Sequence, residues 1–422
     1  MTIVASIEAT WRIERSKIVA ALTRRVRDVG LAEEFAQEAL VAALEQWPVE
    51  GVPRNPAAWL MTTAKRRAVD TFRRRAVETR VHEQLLSELE IDGEPAAPEV
   101  GSSGGDEIED DLLRLIFIAC HPILATEARV ALTLRLLGGL SAAEIARAFL
   151  VAEATIVQRI VRAKRTLSEA RVAFEVPQGA DRASRLASVL EVVYLIFNEG
   201  YSATSGDDWM RPQLSEEALR LGRILACLLP QDPEVQGLVA LMEIQASRAA
   251  ARVTSTGEPV LLPDQNRARW DRLLLRRGLA ALERADALGG AAGPYALQAA
   301  IAACHGRAPS AAETDWPRIA ALYAVLGQVT PSPVVELNRA VAVAMALGPA
   351  AGLAIVDALQ SEPRLAGYHL LPSVRGDLLA RLGRDDEARA EFERAATLTR
   401  NARERAFLMA RVLACGHLPR PE

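Results

Sequence analysis

Between Met61 and Asp111 the chain reverses its charge. Residues 61–80 carry seven Lys or Arg (Lys65, Arg66, Arg67, Arg73, Arg74, Arg75, Arg80) against Asp70 and Glu78, a net +5, whereas residues 81–111 carry eleven Asp or Glu and no Lys or Arg. The acidic run also holds Pro95, Pro98 and GSSGG at 101–105. Repelling charges set among turn formers cannot bury enough apolar surface to offset the entropy of ordering. Residues 81–111 therefore read as a flexible acidic linker that no single core can span. A chain of 422 residues then divides into modules on either side of it, read as 1–80, 112–173 and 181–422.

Half the residues are hydrophobic but only 5% are aromatic, with Ala, Leu, Arg and Glu abundant, the balance of packed helices rather than of sandwiches or barrels. An all-α protein is expected. The net charge of −4 conceals the basic segment, because segregated charges cancel in the average. Cys120, Cys227, Cys304 and Cys415 lie far apart, without the spacing of a zinc site, and read as buried reduced thiols. His121, His305, His369 and His417 are isolated, and no GxGxxG, Walker, HExxH or GxSxG element occurs, so the reading is of a non-enzyme with no cofactor and no metal. Charges at Glu8, Arg12, Glu14 and Arg15 interrupt the N-terminus, and no stretch reaches membrane-spanning length; a cytoplasmic protein with no membrane partner is expected.

In the first module Leu31, Phe35, Leu40, Leu44 and Trp47 recur at helical spacing, with Glu33, Glu34, Gln37, Glu38 and Glu45 between them, which predicts an amphipathic helix with an acidic outer side. Pro48 is expected to interrupt it. Asn55-Pro56 forms an N-cap and first-turn pair for a second helix through Trp59, Leu60, Ala64, Ala68 and Phe72, which is the basic one. After the linker, Leu112–Ala119 and Glu127–Leu137 read as helices parted by His121-Pro122, and Gly138-Gly139 precedes a helix-turn-helix pattern at 141–167. There Ser141 and Glu144 have capping-box spacing, Ile145 and Ala146 face inward, and a second helix begins near Glu153. Thr155, Gln158, Arg159, Arg162 and Lys164 project from that helix with groups suited to base edges and phosphates; an antiparallel helical pair with a solvated basic side has the same pattern.

Beyond Asp181 the chain becomes a succession of Ala/Leu-rich segments broken by prolines. Gly376, Gly383, Ala388, Phe392 and Ala395 fall at the offsets of a tetratricopeptide repeat, and Asp232-Pro233 and Pro331-Ser332-Pro333 open weaker echoes, so a degenerate helical repeat is expected. Asn198, Glu199, Gly200 and Tyr201 follow an apolar run and read as a helix end closed by Gly200.

Two segments, LAEEFAQEALVAALEQW at 31–47 with RNPAAWLMTTAKRRAVDTFRRR at 54–75, resemble region 2 of the extracytoplasmic-function (ECF) sigma factors of bacterial RNA polymerase, and the helix-turn-helix resembles their region 4, in the same order. YLIFNEGYSATSG at 194–206 and DQNRARWDRLLLRRGLAALERA at 264–285 resemble the subgroup with a large helical C-terminal extension. The resemblance implies a region 2 bundle, an acidic linker, a region 4 helix-turn-helix and a tetratricopeptide-like extension. It also implies an alternative sigma factor whose partners are core RNA polymerase, through the β′ clamp and β flap, and promoter DNA. Glu34, Gln37 and Glu38 would face the clamp. Asn55, Trp59, Lys65, Arg66, Arg67, Arg73 and Arg74 would handle the melted downstream promoter element, with core packing the competing role for Trp59. Arg66 stands where many relatives have Asn, which bears on the preferred base. Thr155, Gln158, Arg159, Arg162 and Lys164 would read the upstream element. Stacked helical pairs offer a concave surface to a protein partner, and the extension is expected to regulate promoter binding in cis. The competing expectation is a helix-turn-helix regulator that acts without polymerase.

Overall fold

The computed structural model describes residues 3–76 and 103–415, which fold almost wholly as helices in two compact units, Met1–Val193 and Tyr194–Glu422. In the first unit α1 (Ile3–Val26), α2 (Val29–Glu50) and α3 (Pro56–Ala76) pack on one another. Asp28 caps α2 by accepting from the Leu31 N–H at 2.9 Å. The buried side of α2 is mostly alanine (Ala32, Ala36, Ala39, Ala42, Ala43) with Phe35 and Trp47, a stripe that lets neighbouring backbones come close. Phe35 meets Phe72 edge to face at 6.1 Å, and Trp47 meets Trp59 at 5.4 Å.

Three expectations for this bundle are corrected. Leu44 does not join the core but is exposed, as is Val41, because the alanine stripe and not the leucines sets the buried face. Glu33 is not on the outer side; it is 3% exposed. Pro48 does not stop α2, since a proline in the last turn removes only the bond to the carbonyl of Leu44, itself an exposed residue; Gly51, at φ 88°, ends the helix by donating to the Trp47 carbonyl.

The next helix, α4, runs Ser103–Ala119 and so starts before the expected Leu112. Acidic residues near a helix N-terminus complement its dipole. Asp111, 2% exposed, pairs with Arg114 at 2.7 Å and with Arg24 of α1 at 3.2 Å, and Glu107 reaches Arg24 at 3.5 Å. Residues 103–111 of the acidic run are thus helical, with Glu107 and Asp111 anchoring it to α1; residues 77–102, including Arg80, lie outside the described residues. Helices α5 (Thr126–Leu136), α6 (Ala142–Phe149) and α7 (Glu153–Glu169) follow as the breaks at His121-Pro122 and Gly138-Gly139 predict.

Helix α8 (Gly179–Tyr201) belongs to both units, which divide after Val193 rather than near 181. Its first half is tied into the first unit: the Ser188 hydroxyl donates to the Cys120 carbonyl at 2.6 Å, Arg129 bonds Ser188 and Glu191, and Arg185 donates to the Phe117 carbonyl. Burial pushes the Cys120 thiol up to about 11, which keeps it protonated and inert. Cys227, by contrast, is exposed, not buried as expected.

The second unit comprises α9 (Pro212–Leu228), α10 (Pro233–Ala246), α11 (Arg272–Ala287), α12 (Pro294–Arg307), α13 (Trp316–Val329), α14 (Pro333–Leu347), α15 (Pro349–Leu359), α16 (Leu370–Arg381), α17 (Asp385–Leu398) and α18 (Ala402–Ala414). Each helix from α9 onward packs on the next, the neighbour-to-neighbour pattern of a helical repeat array. Asp232 caps α10 and Ser332 caps α14, where the two proline echoes place helix starts. In the unit from α16 to α17, a Cβ at Gly376 would lie 2.9 Å from the Phe392 ring and 3.2 Å from the Ala388 carbonyl, so the small and aromatic positions of the expected repeat meet. The short parallel pair β1 (Ser205–Gly206) and β2 (Arg400–Asn401) joins the start of this unit to its end, and Asn401 donates to the Ala203 and Asp208 carbonyls. Among the described residues no helix is long and apolar enough to cross a membrane.

Gly200 does not close a helix in the left-handed conformation; it lies within α8, and its role is close approach. A Cβ there would fall 2.2 Å from the Ser215 nitrogen and 2.9 Å from the Leu214 carbonyl carbon, both backbone atoms of α9. Gly200→Ala is expected to destabilise the second unit by about 1–3 kcal/mol in urea melts, since backbone cannot yield as a side chain does. Unchanged stability would show that the α8–α9 crossing is looser than described. Beside it, Glu199 accepts from Thr204 and Arg211, and the Tyr201 ring stacks on Phe197 with the Arg252 guanidinium 3.5 Å from its centroid. That cluster is engaged in holding its own unit together.

Candidate polymerase and promoter interfaces

Helix α2 presents an outward strip that combines acids with apolar groups. Glu34 and Glu38 are exposed, as are Val41, Leu44 and Glu45, and positions 34, 38, 41 and 45 share one side of a helix. Gln37 is half-buried and turned inward, donating from Nε2 to Glu33 at 3.2 Å, and Glu38 lies 4.0 Å from Arg67 of α3. Leu44 falls at core spacing in the sequence, yet the alanine stripe takes the buried face and leaves Leu44 exposed beside Val41.

On α3, the Asn55 side chain accepts from the Ala58 N–H at 3.1 Å, the expected N-cap. Arg66, Arg67, Arg73 and Arg74 are exposed along the helix, and Lys65 is half-buried. Trp59 is half-buried against Trp47, the packing role its spacing suggests.

The helix-turn-helix has the local chemistry its sequence predicts. Ser141 Oγ accepts from the Glu144 N–H at 3.2 Å, and the Glu144 carboxylate accepts from the Ser141 N–H and from the Ser141 hydroxyl, each at 2.8 Å, two bonds that hold the carboxyl below its ordinary pKa. Helix α6 ends at Leu150 with φ 50° and ψ 45°, a left-handed turn closed by the Val151 N–H on the Ala146 carbonyl. Ile156, Ile160, Ala163 and Leu167 bury one side of α7, leaving Val157, Gln158, Val161, Arg162 and Arg165 exposed and Thr155 and Arg159 half-buried. The side chain of Arg159 lines a hollow with Arg162, Glu127 and Ile123, and among the described residues neither arginine is paired with a carboxylate. Val157 and Val161 add exposed apolar groups to this face, of a kind that suits thymine methyls.

Lys164 departs from this face. Two residues beyond Arg162 it lies about 200° further round the helix, and it forms an ion pair with Glu33 of α2. The same carboxylate accepts from Arg15 of α1 at 2.6 Å and from Arg135 of α5 at 2.6 Å, so one buried acid gathers three cations from three helices. Burial pushes the Glu33 carboxyl up, but Lys164, Arg135 and Arg15 together outweigh it and hold the pKa below its ordinary value. Arg15, itself buried, is lowered to about 10. Ser168 adds a bond to Asp28 at 3.0 Å, a second link between α7 and the start of α2.

Among the described residues no group of His, Cys, Asp or Glu is placed to hold a metal ion. Residues 11–77 match sigma-70 region 2, residues 114–167 match sigma-70 region 4, and residues 185–286 match a family of unknown function (DUF6596). Over 395 residues the chain is 46% identical to an uncharacterized protein of Rhizobium meliloti (strain 1021), covering 93% of this chain and 92% of that one. Over 176 residues it is 27% identical to the protein named probable ECF RNA polymerase sigma factor SigI in two strains of Mycobacterium tuberculosis, covering 42% of this chain and 59% of theirs. No solved structure matches. The chain carries the region 2 and region 4 domains of the sigma-70 factors in order, with a long helical extension behind them, and is distantly similar to an ECF sigma factor.

Proposed function

We propose that this sigma factor binds core RNA polymerase through the outward strip of α2 and directs initiation at promoters whose downstream element is held by α3 and whose upstream element is read by α7. The observation that carries the reading is the juxtaposition, in one small bundle, of an acidic and apolar helix face (Glu34, Glu38, Val41, Leu44) with the basic α3. A regulator that acted on duplex DNA alone would need neither. An exposed acid beside exposed aliphatics suits a basic, partly apolar helical partner such as the β′ clamp, where charge steers encounter and apolar contact holds it. The arginines of α3 supply charge for single-stranded phosphates.

In the free chain Lys164 of the reading helix is held by Glu33 of the docking helix. The cluster has three cations for one carboxylate, so parting Lys164 from it leaves Glu33 still paired with Arg15 and Arg135. Engaging polymerase and promoter together therefore favours opening of this contact, and the extension acts in cis on that equilibrium. The test is run-off transcription by core enzyme from the chain's own upstream region, comparing the intact chain with one ending at Ser202. A specific transcript whose yield changes on truncation supports both parts; an equal yield removes the cis regulation, and failure to associate with core enzyme removes the sigma reading.

A further inference from the structure

The extension contains a cavity of about 370 Å³, bounded by α12, α13, α14, α16, α17, α18 and the Leu261–Pro263 segment. Its walls are largely apolar, with Trp316, Ile319, Val341, Leu378, Phe392 and Phe407 among them. None of the residues proposed for polymerase or promoter contact lines it.

Two features mark it as more than a packing defect. The first is unspent polarity on the wall. His305 is 8% exposed, with its ring edge-to-face on Trp316 at 5.1 Å, and among the described residues neither its ring nitrogens nor the Tyr323 hydroxyl has a hydrogen-bond partner. Polar groups on a cavity wall that bond nothing else in the chain are open to a ligand that enters it. Burial, reinforced by Arg248 and Arg267, lowers the His305 pKa to about 4, leaving a neutral imidazole with one donor and one acceptor.

The second feature is an imbalance of charge at one end. Arg381 and Arg411 both bond the single carboxylate of Asp377, at 3.0 and 2.7 Å, which leaves one positive charge over. Their remaining donors have poor partners: Arg381 Nη1 lies 2.9 Å from the Met345 sulfur, a weak acceptor, and the Arg411 guanidinium sits 4.9 Å from the centre of the Phe392 ring. A planar anion would satisfy both guanidiniums better than a thioether and a ring do.

We propose that this cavity is a binding site for a small amphiphilic organic monoanion, its aromatic or branched aliphatic body seated on Trp316, Ile319 and Phe392 and its carboxylate or sulfonate at Arg381 and Arg411. The volume lies near the lower end for small-molecule sites, which suits one compact molecule and excludes a docked helix. The site stands apart from the sigma reading and gives the extension a chemical input.

The experiment titrates the full chain with anilinonaphthalene sulfonate, which has an aromatic body and one negative charge, and with phenylnaphthylamine, which has the same rings and none. The expected result is saturation at one sulfonate per chain, with affinity about tenfold above that of the amine, the value of one charge-assisted bond. Arg381→Gln, at a side chain 43% exposed, is expected to bring the sulfonate down to the level of the amine. Ser373→Phe, which sets a ring on the cavity wall, is expected to abolish binding of both, and should it fail to fold, Arg381→Gln alone decides. Non-saturating binding, equal affinity for the two probes, or an Arg381→Gln chain that binds the sulfonate as before would each overturn the proposal.

Discussion

Glu33→Ala is expected to lower the stability of the first unit by about 3–5 kcal/mol, the usual consequence of removing one member of a buried ion pair. The loss comes less from the bonds themselves than from what is left behind. Arg15, with a side chain 4% exposed, keeps its charge in a place without water or a counter-ion, and Arg135 loses its carboxylate partner at the same time. Glu33→Gln retains the shape and should cost less, so the difference between the two variants measures the charge. Urea melts of both variants check this, and a loss below about 1 kcal/mol, the value of an exposed pair, would show that the cluster is solvated.

The same residue predicts a dependence on acid. The Glu33 pKa is depressed in the folded state, so its stabilisation is fully present above the unfolded-state value of about 4.3 and is lost as pH falls through the lower, folded one. Stability of the intact chain should therefore fall below about pH 4.3, with a slope to which the Glu33→Ala chain contributes one proton fewer. An identical slope in both chains would assign the acid sensitivity to other carboxylates. Asp111 is not a substitute, since burial raises its pKa against the pull of Arg24 and Arg114.

Features whose cause is local could be read from the sequence. Ser141 with Glu144 and Asn55 with Pro56 mark helix starts because each cap closes within four residues, and both lie where the spacing puts them. Gly376, Ala388 and Phe392 meet across one helical turn pair for the same reason. Glu33 could not be singled out from Glu34. Adjacent acids on a helix look alike until it is known that Arg15, Arg135 and Lys164 arrive beside only one of them, and Arg135 and Lys164 are more than a hundred positions away in the chain. Lys164 was a different case: its place two residues after Arg162 already put it off the reading face. The extra helix from Ser103 was concealed because acids that repel in an extended chain become favourable when a helix dipole and Arg24 meet them.

The Arg159→Ala, Arg162→Ala double variant is expected to lose the specific run-off transcript, by about a hundredfold or more in yield. Each arginine that contacts a guanine edge or a phosphate contributes about 1–3 kcal/mol. The pair therefore falls well beyond what raised protein concentration restores. The substitution is gentle on the fold: among the described residues neither guanidinium has a carboxylate partner, and the buried side of α7 is built from Ile156, Ile160, Ala163 and Leu167. Removing them strands no partner charge in the core, whereas Glu33→Ala leaves Arg15 buried without its carboxylate. Association with core polymerase should survive, because Glu34, Glu38, Val41 and Leu44 of α2 are untouched. Loss of the transcript with retained core binding places upstream recognition on α7. A transcript at the level of the intact chain would instead mean that α7 does not read the promoter, and would move the search to the exposed Val157, Val161 and Arg165 or to α3 alone.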